Sequence, residues 1–236
     1  MWIELTDATT APADMAMTMN VLNRQDFIDM NREMHEYDEM REKIIKRSRE
    51  ILKASKQAIF ALHRADSVEA LKLLGNAEKV IPELVALTVN NSSLRDGALA
   101  SSLEEYAEAK CFFYYLDTKC LLPRQDVPVL QMNEYLGGVI DFTGELMRFA
   151  VVKATARDVE EVKRCKAMVE AISGELIQFD FRNGPLRRKF DSVKYNLRKL
   201  ENTLYELSLV TNSGLTVQAH SVLEEPGVAS IREGEA

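Results

Sequence analysis

The run from Asp26 to Arg64 contains neither proline nor glycine, the two residues that most readily interrupt a helix. Apolar side chains recur along it at intervals of three or four residues, which places them on one face of a helix. These side chains are Phe27, Met30, Met34, Tyr37, Met40 and Ile44. The run therefore predicts one very long helix, and a fold that contains such a helix is typically a helical bundle.

Turn-forming residues divide the rest of the chain into further helical segments, and no segment shows the alternation of a strand. We expect helices over residues 67–89, 97–121, 129–153, 156–179 and 185–209. The prediction is an all-α bundle of six or seven long, mostly antiparallel helices. One domain would cover residues 24–210, with a flexible N-terminal arm at residues 1–23 and a disordered tail at residues 211–236.

The last predicted helix carries an apolar seam with heptad spacing. Its members follow one another at alternating intervals of four and three residues: Leu186, Phe190, Val193, Leu197, Leu200, Leu204 and Leu207. Such a seam packs either inside its own bundle or, in addition, against another subunit, and the spacing does not choose between the two.

The segment EYLGGVIDFTGELMRF, Glu134 to Phe149, predicts a helix that is apolar around most of its circumference. A narrow polar stripe lies within about 60° of Asp141, because each residue turns the helix by about 100°. The stripe contains Glu134, Gly137, Gly138, Glu145, Arg148 and Val152. Its two glycines would allow another backbone, or a ligand, to approach closely.

The preceding helix carries a second pair of carboxylates in SSLEEYAEAKCFFYYL. Glu105 and Glu108 are three residues apart on one face, and Phe112 and Leu116 continue that face. A face that continues as apolar side chains points into the protein. Glu104 lies about 100° away, and we expect it to face solvent.

Carboxylates on stripes that look buried must be neutralised, since several unpaired buried charges would cost several kcal/mol or more. They either take up protons, pair with Arg or Lys, or hold a cation; Mg²⁺ or Mn²⁺ suits an all-oxygen site and can clamp a phosphoryl group. The alternative is that Glu105 and Glu108 line a solvent channel while Asp141 or Glu145 pairs with Arg148. A di-iron site requires Glu-x-x-His motifs, which His35, His63 and His220 do not form.

The start of the last helix is strongly basic although the chain carries a net charge of −7. Net negative charge argues mildly against nucleic-acid binding, but it does not exclude a local patch. Arg187, Lys194 and Arg198 share one helical row, and Arg188, Tyr195 and Lys199 share the next. Such a face can take phosphates and stack a base; otherwise it is a solvated surface with local ion pairs.

The three cysteines, Cys111, Cys120 and Cys165, form no CxxC pair and leave one thiol unpaired in any disulfide scheme. That pattern favours a reducing compartment. No apolar run reaches the roughly 18 residues needed to span a bilayer, and we see no secretory signal. The sequence therefore predicts a cytoplasmic (or nuclear) protein that does not act at a membrane.

Three segments of the chain resemble the translin family over roughly residues 30–210: EYLGGVIDFTGELMRFAV, PLRRKFDSVKYNLRKLENTLYELSL and, in support, EYAEA. The resemblance implies an all-helical subunit that assembles into closed, hollow particles of eight subunits and binds single-stranded RNA and DNA. One branch of the family, translin, lacks catalytic acids; its partner branch, Trax, carries them and provides magnesium-dependent endoribonuclease activity.

The last helix is similar to that of translin, whereas Glu105-Tyr-Ala-Glu108 and Asp141-Phe-Thr-Gly-Glu145 resemble the Trax motifs. By that resemblance, these four acids would be catalytic and would bind Mg²⁺, with Mn²⁺ as an alternative. The mixed character favours a homo-octamer, or else a hetero-oligomer with a separate translin-type subunit. We therefore expect an endoribonuclease acting on single-stranded RNA. The competing hypotheses are a non-catalytic subunit that binds single-stranded RNA or DNA, and a purely structural bundle.

Overall fold

The computed structural model describes residues 22–213, with side chains as far as residue 210. This part of the chain contains no β-strand, so the predicted all-α fold is confirmed. Its six α-helices are α1 (Arg24–His63), α2 (Ser67–Leu87), α3 (Ala98–Thr118), α4 (Met132–Thr155), α5 (Val159–Leu176) and α6 (Pro185–Ser213), with short 3₁₀ turns at Ser92–Arg95 and Arg124–Asp126. The predicted arm, apart from its last two residues, and the predicted tail beyond Ser213 lie outside the described residues.

The helices pack around a central pair formed by α3 and α4. On one side α1 contacts α2 and α3, and on the other side α4 contacts α5 and α6. Short connections join α1 to α2 and α4 to α5, which makes each of these pairs antiparallel. None of the helices described is apolar over a stretch long enough to cross a bilayer.

Helices α3 and α4 approach to backbone contact at Gly138. A β-carbon at this position would lie 2.4 Å from Cβ of Ala107 and 2.7 Å from the carbonyl oxygen of Glu104. Only glycine fits so close an approach without a shift of one helix, which is the role expected for a glycine on this stripe. The contact brings the turn that carries Glu104, Glu105 and Glu108 directly onto α4.

The first half of α1 contributes little to the core. Fully buried side chains begin at Ile44, whereas Phe27 and Met34 keep 58% and 65% of their surface exposed. The apolar face that predicted this helix therefore extends beyond the bundle that its second half helps to form.

The heptad seam of α6 packs inside its own bundle. Val193 and Leu200 are fully buried, and the other five seam residues are partly buried against the core. The helix continues to Ser213, one turn beyond the predicted end near Leu209.

Glu134, a member of the predicted polar stripe, has a structural role. Its carboxylate accepts two hydrogen bonds of 2.7 Å from the guanidinium of Arg95, and both side chains are buried. It also accepts a 2.7 Å bond from the backbone N–H of Gln131, which caps the start of α4. Arg95 donates a further bond to the carbonyl of Val129 at 2.8 Å. Glu134 is thus fully neutralised and lies apart from the other acids of the stripe.

Gly138→Ala should destabilise the fold, because the new methyl group meets backbone atoms that cannot move aside individually. We expect the free energy of unfolding to fall by at least about 1–3 kcal/mol. The control is Gly75→Ala in α2, where no atom lies within 4 Å of the new β-carbon; there alanine should stabilise by up to about 1 kcal/mol. Urea unfolding of both variants measures the difference. A Gly138→Ala variant as stable as the wild type would contradict the close approach of α3 and α4.

Candidate metal centre and nucleic-acid interface

Five carboxylates lie in the region where α3 contacts α4, and we call them the acid cluster. Helix α3 supplies Glu104, Glu105 and Glu108, and α4 supplies Asp141 and Glu145. All four acids predicted as catalytic belong to it: the charges of Asp141 and Glu145 act on both Glu105 and Glu108, and Glu105 acts on Glu108. The structure therefore brings together the two carboxylate pairs that the sequence placed on separate helices.

Glu108 is the least compensated member of the acid cluster. Its residue surface is only 8% exposed, and within the described residues it makes neither a hydrogen bond nor an ion pair. Burial, followed by the charges of Glu105, Asp141 and Glu145, raises the pKa of Glu108 to about 9. The carboxyl group is therefore held in its neutral form at neutral pH, one of the three ways in which buried acids can be neutralised.

The pKa of Glu105 is subject to opposing effects. Its side chain is partly buried, and Nζ of Lys56 on α1 lies 4.0 Å from its Oε2 atom. Burial raises the pKa of Glu105, and although Lys56 and Lys189 act in the opposite direction, the net shift remains upward. An acid whose charged form is disfavoured even beside a lysine is a good ligand for an added cation.

Lys189 of α6 bridges the two helices of the acid cluster. Its Nζ atom donates to Oε2 of Glu104 at 2.6 Å and to Oδ2 of Asp141. Burial would lower the pKa of Lys189, but the bonds to Asp141 and Glu104 outweigh it and raise the pKa. The amine of Lys189 therefore stays protonated and carries a positive charge at neutral pH.

The expectation that Glu104 faces solvent is wrong. Its side chain is only about one-fifth exposed because Lys189 covers it from α6 and Gly137 leaves room for it on α4. A β-carbon at Gly137 would lie 2.7 Å from Cδ of Glu104. The second glycine of the stripe thus accommodates a carboxylate side chain, whereas Gly138 accommodates the backbone.

Glu145 is held by groups from two helices. Nε2–H of His63, at the end of α1, donates to its Oε2 atom, and Nη1 of Arg148 lies 3.8 Å from the same oxygen. The imidazole ring is almost buried and packs against Phe112, with ring centroids 4.8 Å apart. The predicted alternative pairing with Arg148 is therefore present, but it is long, and it concerns Glu145 while Asp141 pairs with Lys189.

Sequence reasoning missed Lys189 and His63 as parts of this site. The sequence analysis assigns no role to Lys189, which is one of the basic residues at the start of the last helix, and it considers His63 only for a Glu-x-x-His motif. A signal for Lys189 was available: it shares the inner row of α6 with Val193 and Asn196, four and seven residues further on, and both of these are buried. No comparable spacing distinguishes His63.

The acid cluster suits a hard divalent cation by the chemistry of its donors, which are all carboxylate oxygens. Two of them, Glu105 and Glu108, are partly or largely buried with raised pKa values, so a bound cation would relieve an existing electrostatic cost. Across the described residues, no three His, Cys, Asp or Glu side chains are already grouped closely enough to hold a metal ion. The fit is thus one of donor type and charge.

The basic face predicted on α6 is exposed and begins beside the acid cluster. Tyr195 keeps 62% of its surface exposed, and Arg187 forms a surface ion pair of 2.9 Å with Asp191. The opposite side of the helix is anchored by buried Asn196, whose Nδ2 donates to Oγ1 of Thr143 on α4 at 2.9 Å. The exposed residues are the six predicted to bind nucleic acid: Arg187, Arg188, Lys194, Tyr195, Arg198 and Lys199.

Residues 39–210 match the model of the Translin family. This match covers most of the chain, so the protein belongs to the Translin family, and the resemblance drawn from its sequence is confirmed.

Relatives from both branches of the family align with the chain. Translin-associated protein X homolog of Schizosaccharomyces pombe is 27% identical over 199 residues, covering 77% of this chain and 86% of that protein. Translin-associated protein X of Mus musculus is 25% identical over 210 residues, covering 71% and 72%. Translin of Gallus gallus is 29% identical over a shorter stretch of 111 residues, covering 42% and 48%.

Solved structures show the same fold. Apo-NeC3PO superposes with a TM-score of 0.70 at 23% identity, covering 80% of this chain and 99% of that one. The complex of AfC3PO with duplex RNA superposes with a TM-score of 0.69 at 20% identity, covering 78% and 97%. The predicted translin-like architecture is therefore confirmed.

Glu108→Gln should stabilise the protein in EDTA, and more so at higher pH. Between pH 4.5 and about 9 the folded wild type keeps a proton on Glu108 that the unfolded chain releases, so its stability falls as pH rises. Glutamine removes this dependence, and the advantage of the variant should grow by up to about 1.4 kcal/mol per pH unit. Urea unfolding at pH 5 and pH 8 measures it; an equal effect at both pH values would contradict the raised pKa.

Proposed function

We propose that the protein is a magnesium-dependent endoribonuclease that binds and cleaves single-stranded RNA. The observation that carries the proposal is the convergence of under-compensated carboxylates from α3 and α4 beside a basic face of α6. Glu105, Glu108, Asp141 and Glu145 are the proposed catalytic and metal-binding residues. Mn²⁺ would serve as an alternative to Mg²⁺.

A bound Mg²⁺ would activate a water molecule and offset negative charge on the phosphodiester during hydrolysis. The chain's own contribution is to supply negative oxygen ligands at fixed positions. Glu108 must give up its proton to serve as a charged ligand, while Asp141 must exchange its contact with Lys189. His63 and Arg148 hold Glu145 in place from one side of the cluster.

The basic face of α6 is proposed to hold the RNA. Arg187, Arg188, Lys194, Arg198 and Lys199 would bind backbone phosphates, and exposed Tyr195 would stack an unpaired base. The face starts within one turn of Lys189, so a strand bound along it would pass the acid cluster. The AfC3PO structure contains duplex RNA, which supports an RNA ligand for a subunit of this fold.

We further propose that the protein works as an oligomer: a homo-octamer or a hetero-oligomer with a translin-type subunit. The exposed apolar side chains in the first half of α1, including Phe27 and Met34, support an additional protein contact. A cytoplasmic location stays a prediction; all three cysteines are free thiols, which is compatible with it. Light scattering that shows a monomer at micromolar concentration would contradict assembly.

The competing proposal is a non-catalytic subunit that binds single-stranded RNA or DNA. The acid cluster would then be a set of structural ion pairs. The contacts of Asp141 with Lys189 and of Glu145 with His63 favour this interpretation for those two acids. They do not explain Glu108, which stays buried and unpaired within the part of the chain that is described.

Glu108→Gln and Asp141→Asn should abolish magnesium-dependent RNA cleavage while leaving RNA affinity nearly unchanged. Each substitution preserves side-chain size but removes a negative ligand. The assay follows a labelled, unstructured RNA with Mg²⁺ and with EDTA, and fluorescence anisotropy measures binding of the same RNA. The controls are exposed acids elsewhere, Glu175→Gln on α5 and Asp117→Asn at the end of α3. Cleavage that survives in both cluster variants would remove the catalytic assignment and favour the binding subunit.

The triple variant Arg187→Ala, Lys194→Ala and Arg198→Ala should weaken binding of single-stranded RNA and reduce its dependence on salt. Each lost phosphate contact should lower the slope of log affinity against log salt by about 0.7. Anisotropy titrations at several salt concentrations measure both quantities.

A second triple variant provides the matched control for the basic face. Lys72→Ala, Lys79→Ala and Lys163→Ala remove the same charge from exposed positions on α2 and α5. This control should change the slope much less. If the two triple variants weaken binding equally, long-range charge rather than the basic face of α6 governs RNA binding.

A further inference from the structure

Lys189 occupies the electrostatic centre of the acid cluster. Its ammonium group is bonded to Glu104 of α3 and to Asp141 of α4, so one positive charge links both helices. The same charge also acts on Glu105 and Glu108, lowering the pKa of each against the opposing effect of burial. Four of the five carboxylates therefore interact with this single group.

A divalent cation bound by these carboxylates would compete with Lys189. An oxygen of Asp141 that accepts a hydrogen bond from the ammonium group has its charge already partly neutralised, and two positive charges held at the same carboxylate repel each other. Binding of a cation at Asp141 therefore requires either a weaker complex or the departure of Lys189.

Lys189 is held less firmly than Arg95, which is a buried cation of this protein. Arg95 is bidentate to Glu134, and both side chains are more than nine-tenths buried, so that pair is a fixed structural element. Lys189 is 31% exposed and holds its partners through one ammonium group on a flexible stem. It extends from the first turns of α6, next to Arg187 and Arg188 of the basic face.

We propose that Lys189 is an exchangeable counter-ion: it holds Glu104 and Asp141 in the free chain, leaves them when a divalent cation binds, and then binds the phosphate that is to be cleaved. The inference deepens the proposed function, since it assumes a cation at the acid cluster. It assigns Lys189 two successive partners of the same charge, first a carboxylate and then a phosphate. Lys189 thereby offsets part of the negative charge of the acid cluster before the cation arrives and supplies a positive group to the substrate afterwards.

Direct measurement of Mn²⁺ binding without RNA tests the exchange. Electron paramagnetic resonance of free Mn²⁺ would compare the wild type with Lys189→Gln, Lys189→Arg and Lys79→Gln. Removing the competing charge should make Lys189→Gln bind Mn²⁺ about tenfold more tightly or better. Lys189→Arg keeps the charge and should stay near the wild type, as should Lys79→Gln, which removes an exposed charge on α2, outside the cluster and the basic face.

The rate of RNA cleavage at saturating Mn²⁺ tests whether Lys189 binds the phosphate after it has left the carboxylates. Lys189→Gln should cleave RNA about 10²–10³-fold more slowly, the usual effect of removing one group that stabilises developing charge. Lys189→Arg should recover a large part of that loss, because a guanidinium group also binds phosphate. Tighter cation binding combined with slower cleavage in one variant is a result that a purely structural lysine would not give.

Unchanged or weaker Mn²⁺ binding in Lys189→Gln would overturn the exchange. Thermal melting tests the exchange even if Lys189→Gln folds poorly. Mn²⁺ should raise the melting temperature of Lys189→Gln more than that of the wild type. A variant that stays unfolded in the presence of Mn²⁺ would also overturn the proposal. The variant Glu108→Gln distinguishes a failure of the proposed metal site from a failure of the exchange alone. If it does not weaken Mn²⁺ binding, the proposed metal site itself fails; if it does while Lys189→Gln binds no tighter, only the exchange fails.

Discussion

The backbone contact between α3 and α4 at Gly138 is the constraint on which the rest of the structure depends. It places Ala107 and the carbonyl of Glu104 against α4, and it thereby fixes the distance between the two carboxylate pairs. A larger residue at this position would move one helix outward and open the acid cluster. The core on both sides, with α1 and α2 on α3 and with α5 and α6 on α4, holds the pair in place. The same small residue thus serves packing and the candidate chemistry, because both need the helices to touch.

A comparison of two buried acids of the bundle, Glu134 and Glu108, shows how differently a carboxylate can be neutralised. Glu134 accepts hydrogen bonds from a guanidinium group and from a backbone N–H, so its negative charge is compensated within the fold. Glu108, in contrast, remains neutral by keeping its proton. A fold that needed these acids only for stability would have no reason to keep Glu108, since an apolar or amide side chain of similar size would cost less. Glu108, the least compensated carboxylate of the acid cluster, is therefore the residue that gives the proposed metal site its strongest support.

The sequence predicted the helices and both carboxylate pairs because these follow from periodicity within single segments. The long run that begins at Asp26, the stripe around Asp141 and the Glu105–Glu108 pair all require only the helical repeat. Contacts between distant segments could not be predicted from this repeat. Glu104 was placed in solvent because the counter-charge that covers it, Lys189, lies on a helix far away in sequence. The structural role of Glu134 was not predicted because its partner, Arg95, lies in a short 3₁₀ turn. Such a turn has no periodic pattern by which it could be recognised in the sequence. The contact of His63 with Glu145 could not be predicted either, because it arises from the packing of the end of α1 against α4.

The charge arrangement would reconcile an acidic protein with the anionic ligand proposed for it. The chain carries a net charge of −7, yet residues 186–199 of α6 hold six basic residues and one acid. Of the acids beneath this face, Glu104 and Asp141 are paired with Lys189, and Glu108 is held neutral. A strand of RNA that bound the basic face as proposed would therefore meet little of the negative charge that lies beneath it. In the proposed mechanism that negative charge would become available only when a cation displaced the proton of Glu108 and the ammonium group of Lys189, and the cation itself would attract the phosphate. Burying the acids and covering two of them with one lysine would thus allow the proposed metal-binding carboxylates and the proposed phosphate-binding surface to lie close together.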